Sequence, residues 1–172
     1  MTEDDALFNS SVPVLRKYLT QIMALVENAG TVALETRLTE DAFPAGVHFR
    51  IAQGYALRIV CPLVGRDVPE LPEDGHDAVA LRRNDAMVQA ELIRLTPADF
   101  QGACLRVIDH RAGFADLSQS AKDFLLFYGM PNFFFHLVNG YATLRKSGAK
   151  IGKSDFDGLH SYPADFSFET KD

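Results

Sequence analysis

AKDFLLFYGMPNFFFHLVNGYATLRK, residues 121–146, is the stretch that decides the fold. From Phe124 to Leu144 it carries no charged residue, and a helix of about 20 apolar residues is long enough to cross a bilayer. Yet the same run holds Pro131, Asn132, His136, Asn139 and two glycines, and such polar groups are costly in lipid. A helix buried by protein on nearly all sides is therefore expected over 121–146. Ser120 and Asp123 stand at capping-box spacing before it, with Asp in place of the usual Glu or Gln. Arg145 and Lys146 complement the dipole at its end, and Gly148 can stop it.

Working outward, three further amphipathic helices precede it. Val12, Leu15, Leu19, Ile22 and Val26 form one stripe of a helix over about Val12–Asn28, with Ser10 or Ser11 as cap and Pro13 in the first turn. Thr39, Glu40 and Asp41 open a second helix, about Ala42–Val60, which Pro62 ends or bends. At about 100° per residue, His48, Ile51, Ala52, Tyr55 and Ile59 share its inward sector, while Arg50, Gly54 and Arg58 lie away from it. A connector from Gly65 to Gly75, with Pro69 and Pro72, leads to a third helix, about Asp77–Leu95. CLRVIDH and GFADL, either side of Ala112-Gly113, alternate as a small β-hairpin does. The expected class is all-α, a four-helix bundle with that hairpin before the last helix. No repeat or low-complexity linker divides residues 1–172, so one domain is expected. Its tail, 153–172, is rich in aromatic residues (Phe156, Tyr162, Phe166, Phe168) and is expected to dock on the body or a second subunit, with partial disorder as the competing view.

Bulk properties narrow the function. The chain has 172 residues, 47% hydrophobic and 23% charged, with a net charge of −6. That balance disfavours a primary role on nucleic acid or anionic membrane. The first residues, MTEDDALFNSS, have no apolar core of a signal peptide, and a cytoplasmic protein is expected. Cys61 and Cys104 sit among apolar neighbours and read as buried free thiols, a poor setting for a nucleophile. No GxSxG, P-loop, GxGxxG or HExxH pattern occurs.

Chemistry concentrates on the last helix. Gly129, Asn132, His136, Asn139 and Thr143 share a sector about 80° wide. Solvent faces usually carry Lys and Glu, so small neutral groups point first to a pocket lining or metal site, then to a tight helix contact, with plain surface as the remaining alternative. Pro131 cannot donate to the carbonyl of Phe127, so the helix should loosen one turn before His136. His48 is the second clue, inward on helix two. An inward histidine is more often a hydrogen-bonded core residue than a ligand, but two on facing helices make the bundle-core pattern for a metal. A third donor is needed. Asn132 offers an amide oxygen, a weak ligand for zinc or nickel, and Asp85 is a speculative substitute. Two imidazoles sharing a tetrahedral ion would bring nitrogens to roughly 3 to 3.5 Å of each other. His76, His110 and His160 fall in predicted loops or the tail and are given no role.

Met130-Pro-Asn-Phe-Phe-Phe-His136, Gly140-Tyr-Ala-Thr-Leu-Arg145 and Ile151-Gly-Lys-Ser-Asp-Phe156, with Ser11-Val-Pro-Val-Leu15 and Leu38-Thr-Glu-Asp-Ala-Phe-Pro44, resemble an uncharacterised bacterial branch of the DinB/YfiT-like superfamily. The resemblance covers most of the chain. It implies a four-helix bundle, commonly a homodimer, with a divalent metal held by one histidine on the second helix and an HxxxH pair later. His48 and His136 match two of those positions, and Asn132 stands where the remaining histidine would be. The site so implied is His48, Asn132 and His136, a degenerate one, with zinc or nickel as cofactor and a small molecule as ligand. Some members of the superfamily are thiol-dependent transferases or isomerases, and this branch has no assigned reaction. The expectation is a metal-dependent enzyme, thiol-transferase-like or hydrolytic; the alternative is a non-catalytic dimeric bundle, ligand-binding or stress-related.

Overall fold

In the computed structural model, residues 1–163 and Phe166 are described. Helix α1 spans Glu3–Ala29, starting well before Val12. Thr2 is its cap: the Thr2 hydroxyl accepts from the Asp5 N–H at 3.1 Å, and the Asp5 carboxylate accepts from the Thr2 N–H at 2.8 Å. This is a capping box with Asp in the Glu place. The Asp4 carboxylate accepts from the Gly102 and Cys104 N–H groups, both at 2.8 Å, tying the extra turns to the body. Pro13 lies inside the helix. The Ser11 hydroxyl donates to the Leu7 carbonyl at 2.6 Å, so Ser11 bonds within the turn instead of capping it.

A single turn, Thr31–Leu34, leads to α2, Ala45–Leu63, whose cap is Pro44. The start is later than Ala42 because the residue before a proline is pushed out of the helical region, so Phe43 cannot be helical. Pro62 sits in the last turn, and the helix closes on Gly65 at φ +68°. Helix α3, Ala78–Ile93, is capped by the Asp77 side chain, which accepts from the Ala80 N–H. Short 3-10 turns at Pro97–Phe100 and Ala103–Leu105 precede the hairpin.

Strands β1, Val107–Ala112, and β2, Ala115–Ser120, pair antiparallel with Ala112 opposite Ala115. Between them Gly113 takes φ +61°, as the first central residue of a type II′ turn requires.

The last long helix, α4, is continuous from 121 to 146 and has three parts. Ala121–Asp123 and Met130–Lys146 are α-helical, and Phe124–Gly129 between them is a π turn. The Met130 N–H reaches back to the Leu125 carbonyl. The loosening expected from Pro131 takes this form, directly upstream of the ring. A short α5, Lys153–Asp157, docks Phe156 on Tyr18 and Tyr141, with ring centroids 5.8 and 5.3 Å away. Tyr162 and Phe166 stack at 4.9 Å; Phe168 lies outside the described residues.

The molecule is thus mostly helical with one small hairpin, and among the described residues α1 to α4 are its long helices. Leu15, Leu19, Ile22, Phe49, Leu81, Val88, Leu92 and Phe133 are fully buried in the core they share. The broadest contact is between α2 and α4. Two glycines permit it: a Cβ on Gly140 would stand 2.5 Å from the Phe49 ring, and one on Gly129 would stand 2.8 Å from Ile59. No helix among the described residues is long and apolar enough to cross a membrane.

Candidate functional site

The α2–α4 contact brings together the two histidines singled out from sequence. His48 comes from the first turn of α2 and is buried, and His136 comes from the middle of α4 and is half-buried. Their Nδ1 atoms are 3.0 Å apart and the ring centroids 5.2 Å apart. The edges of Phe43 and Phe135 close over His48, and Tyr55 stacks on His136 at 5.8 Å.

This apolar box decides the charge state. Burial pushes His48 below the ordinary imidazole range. Burial first, then the nearby charges of His48 and Arg58, holds His136 down at about 4. Both rings are therefore neutral near pH 7. In that state one Nδ1–H donates to the lone pair of the other Nδ1, or both lone pairs turn to a shared cation.

Asn132 lies beside the pair but is engaged. Its amide nitrogen donates to the Tyr128 carbonyl at 2.7 Å, and its oxygen accepts from the Tyr55 hydroxyl at a long 3.4 Å. Burial and Tyr128 push the Tyr55 phenol up to about 12, so it acts as a donor. Among the described residues no group of three His, Cys, Asp or Glu is placed to hold a metal. Asp85 therefore does not complete the set; it lies on α3 near Gln89, which bonds to Arg16 of α1.

The rest of the polar sector on α4 divides between two roles. Thr143 donates to the Asn139 carbonyl and Asn139 to the Phe135 carbonyl, both at 2.7 Å. Those residues, with Gly129 and Gly140, serve the helix and its close packing. His136 alone of the sector lines an open cleft of about 890 Å³. Arg50, Gly54, Tyr55 and Arg58 of α2 form its floor, and connector residues 68–73 form its outer wall. Arg50, Gly54 and Arg58 were missed as site residues because their side of α2 reads as solvent-facing, and Tyr55 was read as inward but given no role. The available signal was the Arg-Gly-Arg spacing at i, i+4 and i+8, which is unusual for a plain surface.

The remaining candidates are spectators. Burial raises the Cys61 thiol to about 11, and Cys104, only partly buried, is raised by its contact with the Asp4 carboxylate. Neither is a thiolate at neutral pH. His76 pairs with Glu35 at 3.1 Å, His110 bonds to Gln119 at 2.7 Å, and His160 bonds to Asp157. His110 lies in β1 and not in a loop.

Two comparisons with known proteins give matches. The family model of a domain of unknown function, DUF1993, matches residues 7–157. The crystal structure of a DinB family member protein from Shewanella denitrificans is 26% identical, with a TM-score of 0.82 over 94% of this chain and 97% of that chain. No curated protein matches.

Proposed function

The chain belongs to the DUF1993 family, a DinB-like group without an assigned reaction, and on that premise we propose that His48 and His136 hold a divalent ion, zinc or nickel, at the inner edge of the cleft. The observation that carries this is the 3.0 Å approach of two neutral Nδ1 atoms. Ligands about 2 Å from one tetrahedral ion stand a little over 3 Å apart, so the pair fits as two of its donors. Among the described residues no carboxylate or thiolate joins them as a third donor, and the Asn132 amide is a weak donor already in use. The fit is thus to an ion held weakly and completed from the cleft side. A bound ion of this kind supplies an acidified water or thiol cosubstrate, suited to hydrolysis or thiol transfer.

The protein's own groups do the rest. Burial keeps both imidazoles unprotonated and able to donate lone pairs. The Phe43 and Phe135 rings pack edge to face with His48, and the Tyr55 ring stacks on His136, fixing both imidazole planes. The Tyr55 hydroxyl points at Asn132 and orients its oxygen. Titration of untagged, chelator-treated protein with Zn²⁺ and Ni²⁺ tests the proposal. Wild type should bind one ion no tighter than about micromolar, and His136→Ala should weaken this by about a hundredfold, as loss of one of two nitrogen ligands implies. Equal affinity in the two proteins would end it.

A non-catalytic role is favoured by a different observation. The Asn132 amide is spent inside the helix, and at 3.0 Å the imidazoles can satisfy one another. In that case the pair is a buried hydrogen bond and the bundle is a ligand-binding homodimer. Phe127 and Phe135, 73% and 58% exposed on α4, are the natural dimer contact. Sedimentation of a Phe127→Glu variant separates dimer from monomer.

A further inference from the structure

We infer that the cleft beside His136 is a seat for a small organic anion, one acidic group on an apolar body, with Arg50 as the group that receives the acid. This adds a ligand class to the cleft and holds whether or not an ion sits on His48 and His136.

Arg50 is the least satisfied cation on the cleft. Its Nε is shut away from solvent and has no hydrogen-bond partner. Its Nη1 donates to the Glu73 carbonyl at 3.3 Å and stands 3.9 Å from the Glu73 carboxylate, which is 81% exposed. A carboxylate so exposed and at that distance contributes little and does not neutralise the guanidinium. A buried, unsatisfied N–H of a cation is costly, and a carboxylate or phosphate in the cleft would offset that cost by meeting the outer nitrogens of the same guanidinium in a charge-assisted contact. Arg58 lies two turns further along and holds its guanidinium over the Tyr55 ring at 5.6 Å, so its charge faces the same space without a carboxylate on it.

Gly54, midway between the arginines, is the second observation. A glycine inside a helix is destabilising relative to alanine, so it needs a reason. Gly129 and Gly140 have one, since a neighbour occupies the place of a side chain, whereas a Cβ on Gly54 would meet nothing within 4 Å. Its missing side chain leaves the floor of the cleft open. At about 890 Å³ the cleft has the size of a small-molecule site, and Phe43, Ile51 and Leu71 supply apolar wall beside the charges. Glu70 and Glu73 are both on the outer connector wall, which leaves the α2 side positive. Mixed lining of this kind suits an amphipathic anion better than inorganic phosphate alone.

Two fluorescent probes test this on the full chain, in buffer with chelator so that the metal proposal stands apart. Anilinonaphthalene sulfonate carries an anion, and N-phenyl-1-naphthylamine is the same body without it. Wild type should bind the sulfonate at a one-to-one ratio. Arg50→Ala should weaken it about tenfold and Arg58→Ala about threefold, as loss of charge-assisted contacts implies, with the neutral probe changed less than about twofold. Gly54→Leu should block both probes while the protein melts no lower than wild type, which covers the case in which an arginine variant fails to fold. The inference is overturned if wild type takes up no sulfonate at that ratio. It is equally overturned if both probes weaken alike in Arg50→Ala, or if Gly54→Leu binds the sulfonate as before.

Discussion

Gly140 on α4 and Gly54 on α2 are both helix-interior glycines, and they mark two opposite regions of one helix pair. Around Gly140 the backbone is pressed against Phe49, with a would-be Cβ only 2.5 Å from the ring. Around Gly54 nothing approaches, and the cleft begins. The same residue type therefore serves close packing in one place and open space in the other. The first region packs the two helices against each other, and the second leaves open space beside them. His136 sits at the border, with one side against His48 and the other lining the cleft.

The largest expected effect comes from emptying the closed region. Phe49→Ala removes a fully buried ring and should cost about 3–5 kcal/mol, read as a loss of urea midpoint. Gly140→Ala attacks the same contact by overpacking and should cost about 1–3 kcal/mol. If Gly140→Ala melted at the wild-type temperature, the contrast between the two glycines would lose its basis.

A third experiment concerns a buried acid of the closed interior. Asp85 has an Oδ1 that is buried without a partner, and burial raises its carboxyl to about 6. A folded-state value above the unfolded one means that the folded protein holds the proton more tightly. The penalty is therefore complete above pH 6 and disappears as pH falls toward 4. Asp85→Asn should stabilise by about 1 kcal/mol at pH 7.5, after discounting for its partial exposure, and by nothing at pH 4. Thermal melts at the two pH values check this. The smallest effect belongs to the open side: Gly54→Ala should raise stability by about 0.5–1 kcal/mol. A loss there would mean that the floor of the cleft is packed after all.

The helices were legible wherever a local pattern specifies them. The stripe Leu15, Leu19, Ile22 and Val26 is buried as its spacing requires, and the long uncharged segment is one continuous helix. Its π turn falls where Pro131 denies a donor. Helix starts were less legible: the first lies at Glu3 where Val12 was expected, and the second at Ala45 where Ala42 was expected. In the first case an acidic, polar segment became helical through a cap and through Asp4 bonding to residues about a hundred positions away. In the second, Pro44 overrode an acidic run that suited a first turn.

Sequence by itself determined the helical class, the hairpin and the inward placement of His48 and His136. Each follows from spacing within a few residues, which backbone geometry converts directly into a face. Only tertiary structure decided that imidazoles 88 residues apart meet at 3.0 Å, that Asn132 turns its amide back into its own helix, and that the arginine side of α2 faces a cleft under the connector. Those outcomes depend on how deeply two helices approach and where a loop crosses them. Local periodicity carries no record of either, because packing distance is set by side chains from distant parts of the chain.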